Sequence, residues 1–114
     1  MTLDDVRSLA LSLPETAEAP HHERTSFRVR GAIFATALPG APYSVNVLLD
    51  EPEARAAVFE DADAYGELWW GRRLVGVEVR LALADPARVE ELLTEAWLRR
   101  APKALAVQLD RRGS

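Results

Sequence analysis

The sequence predicts an α+β fold, an antiparallel meander sheet covered on one face by N- and C-terminal helices. Three observations carry that prediction. Apolar residues recur at helical spacing near both ends of the chain. Between those ends they alternate with polar residues in strand fashion, and proline and glycine punctuate the joins. A chain of 114 residues has the length of one ordinary domain. A single sheet carrying both terminal helices is the economical packing for it.

The first helix is expected from Leu3 to Leu13, where Val6, Leu9, Ala10 and Leu13 form one apolar stripe. Thr2 and Asp5 stand at capping-box spacing, and Pro14 pushes the preceding residue out of the α region. Residues 14–24 read as a polar loop. In the run that follows, Phe27 and Val29 point one way while Arg28 and Arg30 point the other. Gly31 permits a tight turn into the run 32–38, and Pro39-Gly40-Ala41-Pro42 marks the next turn. Tyr43, Val45, Val47 and Leu49 then share a face, with Ser44 and Asn46 opposite.

Asp50 or Glu51 caps a short second helix, with Pro52 in its first turn and residues 54–59 as its body. Residues 60–66 read as irregular. Strand signal returns from Leu68 to Leu81, broken by the turn-like Gly71-Arg72-Arg73. Val75, Val77, Val79 and Leu81 share one face there, and Gly76, Glu78 and Arg80 face away. The last long helix is the best specified. Asp85 is its N-cap, Pro86 its first residue, and Val89, Leu92, Leu93, Ala96 and Trp97 its buried stripe. Arg99 and Arg100 sit at its negative end. Pro102 interrupts it, and residues 103–109 read as one or two further helical turns. The domain is expected over 1–110, with 111–114 as a basic tail.

Composition excludes several chemistries. Cysteine is absent, which removes disulfides, thiolate metal sites and cysteine nucleophiles. No apolar run approaches the roughly 20 residues that cross a bilayer, so no membrane partner is expected. Asp4 and Asp5 stand where a signal peptide carries basic residues, and the cytoplasm is the expected location. The net charge of −4 opposes a purely electrostatic grip on nucleic acid. Charge is uneven along the chain. Residues 50–67 carry seven acids against Arg55, and residues 97–112 are mainly basic. Such segments orient a partner or are simply solvated.

No catalytic constellation is legible, so the chain is read as no enzyme, with no cofactor and no metal. His21 and His22 are adjacent, which is poor geometry for one metal, and no third ligand accompanies them. No glycine-rich phosphate loop is present. Two constellations remain. The outward sheet face offers Arg28, Arg30 and Arg80 with Asn46 and Ser44, residue types that contact phosphates and stack on bases. The plainer reading pairs those arginines with Glu78 and other acids. The second constellation is Trp69-Trp70 beside Arg72-Arg73, a contact site for a base or a protein, or a cover for the sheet edge.

The segments LDDVRSLALSLPETAEAP, FRVRGAIFA and VRLALADPARVEELLTEAWLRRAPKALA, in that order, resemble the MmcQ/YjbR family. The resemblance spans nearly the whole chain. It implies a meander sheet packed by terminal helices, similar to frataxin and CyaY, and a function described by analogy as DNA binding. It implies no catalytic residues. This chain departs from the family pattern at Ala32, and at Leu48 or Leu49, where basic residues are common. The basic positions retained are Arg28, Arg30, Arg80, Arg99, Arg100 and Lys103. Two functions follow as expectations. One is a weak DNA-binding domain using Arg28, Arg30, Arg80, Asn46, Arg99, Arg100 and Lys103. The other is a protein-interaction or homodimer module that presents its exposed β face and a tryptophan. A small-ligand or metal site on the acidic stretch is a third.

Overall fold

The structure, a computed structural model, describes residues 1–113, with side chains described as far as Leu109. The basic tail expected at 111–114 lies outside the residues whose side chains are described. The elements are α1 (Leu3–Leu11), β1 (Thr16–His21), β2 (Arg24–Val29), β3 (Ala32–Ala37) and β4 (Ser44–Leu48). They continue with α2 (Glu51–Glu60), β5 (Tyr65–Trp70), β6 (Arg73–Arg80), α3 (Pro86–Arg100) and α4 (Lys103–Gly113). The strands form one antiparallel sheet in the order β1-β2-β3-β4-β6-β5. Helix α3 packs on β3 and β4, α2 on β5 and β6, and α1 on α3 and β1. All three therefore cover one face, and the other face stays open.

Periodicity explains the core. Phe27, Val47 and Val77 stand in register across β2, β4 and β6 through Ala35, and Val45 pairs with Val79; all are buried. The α3 stripe of Val89, Leu92, Leu93, Ala96 and Trp97 is buried against them. Each such aliphatic side chain contributes about 1.5–3 kcal/mol of burial. Thr2 and Asp5 form the capping box, each backbone N–H donating to the other's side-chain oxygen, at 2.8 and 3.1 Å.

The structure corrects the sequence reading in four places. Residues 16–21 are a strand, not a loop, because β2 offers them an antiparallel partner whose contribution local polarity does not reveal. Strand β5 begins at Tyr65, inside the stretch read as irregular, and Tyr65 is buried opposite Val79. The strict alternation expected of β6 breaks near its start, where the pairing with β5 shifts between Leu68 and Trp69. Val75 is consequently only half-buried, while Gly76 is buried. Tyr43 lies ahead of β4 and is exposed rather than sharing the core face.

Candidate anion-binding cleft on the open sheet face

The row of residues pointing away from the helices follows from register. Ser26, Thr36, Asn46 and Glu78 stand side by side across β2, β3, β4 and β6. Two positions along β2 from Ser26 lie Arg28 on one side and Arg24 on the other, so the three share a face. The pairing of β2 with β3 shifts between Phe27 and Arg28, which brings Ile33 opposite Arg28. Phe34 has no register partner at that shift and is fully buried. A cleft of about 490 Å³ lies on this face, a size typical of small-ligand sites.

The floor of the cleft is apolar, made by Ile33, Leu48 and Leu68, and Trp70 of β5 forms one wall. Thr36 and Asn46 supply neutral polar groups, and Arg24, Arg28 and Arg100 supply charge; His21 stands beside them. None of the lining residues is acidic. Among the described residues, no carboxylate pairs with Arg24, Arg28 or Arg100, although most other arginines of the chain have one.

Arg28 is held in place by neutral groups. Its Nε donates to Ser26 Oγ at 2.9 Å, and one terminal nitrogen donates to the Pro20 carbonyl at 3.3 Å. Ser26 is fully buried and donates in turn to the Ala19 carbonyl at 2.8 Å. This chain orients the guanidinium and leaves its charge uncompensated. Among the described residues, Asn46 Oδ1 is shielded from solvent and has no hydrogen-bond partner.

The residues predicted from sequence scatter. Arg28, Asn46 and Arg100 meet in the cleft. Arg30 does not, because it and Gly31 both take positive φ in the two-residue turn between β2 and β3. Its guanidinium pairs with Glu15 through two hydrogen bonds of 3.1 Å. Arg80 is bound to the carbonyls of Ala62 and Asp63 at 3.2 and 2.7 Å, at the far edge of the sheet. Arg99 pairs with Asp50 at 2.8 Å, and Lys103, exposed at the start of α4, lines no cleft wall. Ser44 donates to Glu78 at 3.4 Å. Arg24, Thr36 and His21 were missed as site residues. The signal for Arg24 was the i, i+2 spacing back from Arg28 through Ser26, hidden because residue 24 read as loop.

Among the described residues, no group of three or more histidine, aspartate or glutamate side chains is placed to hold a metal. No helix is long and apolar enough to cross a membrane.

The molecule is thus a small α+β domain with helices on one face of an antiparallel sheet and a cationic cleft on the other. The YjbR family model matches residues 11–99, and the chain belongs to that family. A crystal structure of the Deinococcus radiodurans protein DR2400, described as a DUF419 domain of the same family, has a similar fold. Its TM-score is 0.75 at 20% identity, over 96% of this chain and 88% of that one. A search of curated proteins finds no match.

Proposed function

We propose that the open sheet face binds single-stranded nucleic acid without catalysis, seating one nucleotide in the cleft. The observation that carries this reading is an acid-free cleft with three unpaired arginines in a protein of net charge −4. Arg24, Arg28 and Arg100 hold phosphate oxygens; Trp70 stacks on a base; Thr36 and Asn46 address the base edge. The expected affinity is that of nonspecific binding, about 10⁻⁴–10⁻⁶ M at physiological salt, because the acidic protein repels the polymer at long range.

The test is a titration of labelled single- and double-stranded oligonucleotides at two salt concentrations. Arg28→Ala should flatten the log–log salt slope by about one unit, and Arg28→Ala with Arg100→Ala by about two. Trp70→Ala should weaken binding by about 1–3 kcal/mol. Arg30→Ala should change little, since Glu15 already neutralises that side chain. Absence of binding at low salt, or equal loss from Arg30→Ala and Arg28→Ala, would reject the reading.

A further inference from the structure

Trp69 and Trp70 are consecutive at the end of β5, point to opposite sides of the sheet, and are 46% and 58% exposed. Trp70 forms a wall of the cleft, whereas Trp69 lines a separate groove of about 400 Å³ beside the start of α2. The end of α3 divides in the same way, with Arg100 in the cleft and Arg99 in the groove. Two openings, each with one tryptophan and several arginines, therefore flank the end of the β5–β6 hairpin.

The groove holds four arginines against two carboxylates. Arg55 pairs with Glu51 at 2.7 Å and Arg99 with Asp50 at 2.8 Å, so both acids are already neutralised. Arg72, in the turn, and Arg73, first in β6, are the surplus. Both are exposed, and among the described residues neither has an ion-pair partner. Trp70 stands opposite Arg73 in the ladder, so Gly71 and Arg72 alone make the turn, with Gly71 at a φ of 62°. The hairpin end is thus narrow, and its two free cations lie where a chain would cross from one opening to the other.

We propose, resting on the nucleic-acid reading of the cleft, that a single strand seated there continues round this turn and stacks a second base on Trp69. Arg72 and Arg73 hold the phosphates between the two bases. Stacking on an indole needs only the face of a base, which a single strand presents freely. A duplex cannot follow the same path, because its bases are already stacked on one another and it bends stiffly over so short a length.

Titration at low salt with thymidine 5′-monophosphate and with a decathymidylate strand separates the two openings. Trp69→Ala should weaken decathymidylate binding about tenfold and leave the monophosphate unchanged, whereas Trp70→Ala should weaken both. Arg72→Ala with Arg73→Ala should flatten the decathymidylate salt slope by roughly one to two units. All these side chains are exposed, so the variants should keep the parent circular dichroism. Decathymidylate held as in the parent by both the Trp69 variant and the double arginine variant, but lost with Trp70→Ala, would overturn the second position and leave the cleft reading standing. A Trp69→Ala protein that loses the monophosphate as much as the decamer would also overturn it. A parent that binds no decathymidylate at all would reject the cleft reading and the path with it.

Discussion

Gly76 shows how one missing side chain sets the sheet's geometry. A Cβ at this position would lie 2.0 Å from the Val47 carbonyl oxygen and 3.0 Å from Leu48 Cα. Those are backbone atoms of β4, so no side-chain rotation relieves the clash. Gly76→Ala should therefore cost about 3 kcal/mol or more, read as a lower urea midpoint. Glu18 gives a second residue-scale case. Arg7 donates to it at 2.7 and 3.2 Å and Thr25 at 3.0 Å, and the Arg7 hydrogen bonds hold its carboxyl below the usual glutamate range, against the opposing effect of burial. A lowered folded pKa means stabilisation that is complete above the unfolded value and lost as pH falls through the folded one. Glu18→Gln should then cost about 1 kcal/mol or less at neutral pH and flatten the loss of stability below about pH 4. Denaturation curves at pH 7 and in that acid range measure the difference.

Helix α3 concentrates the element-scale determinants. Asp85 accepts from the Ala87 N–H at 3.3 Å, and Pro86 fixes the first helical φ. Asp85→Ala should cost about 1 kcal/mol in thermal or urea unfolding. Deeper in the helix, Trp97 is fully buried and its Nε1–H donates to the Pro14 carbonyl at 3.0 Å, tying α3 to the turn between α1 and β1. Leu92→Ala should cost about 2–5 kcal/mol, the usual loss of a fully buried leucine. The strands depend more on one another. β1 carries Glu18, Pro20 and His21 and has little strand propensity, yet six residues of it pair with β2. The edge position explains this, since Pro20 is tolerated only where no further strand needs its N–H.

For the whole molecule, the charge total and the charge placement point in opposite directions. Net charge is −4, and the open face carries Glu78 beside Asn46, but no acid lines the cleft, whose charged residues Arg24, Arg28 and Arg100 are cations. A single strand exposes bases for Trp70 and Asn46 to meet, whereas duplex DNA presents mainly phosphates. At equal salt the protein should therefore bind a single strand more tightly than a duplex of the same length, by competition titration. Equal affinity would reduce the interaction to charge alone.

Local sequence determined whatever rests on period and punctuation. The spacing of Val89, Leu92, Leu93, Ala96 and Trp97 required a buried helix face, and Asp85-Pro86 placed its start. Alternation at Phe27–Val29 and Val45–Val47 assigned core and open faces, which put Arg28 and Asn46 on the correct side. Tertiary structure alone decided which cations meet in the cleft. Arg30 and Arg28 are two residues apart, but the positive φ of the Arg30-Gly31 turn sends the first to Glu15, while Ser26 holds the second in the cleft. Arg100 lies far along the chain from Arg24, at the last position of α3, and lines the same cleft. Pairing of charges is a matter of distances between elements, and those distances follow from strand order and helix packing, which local periodicity does not encode.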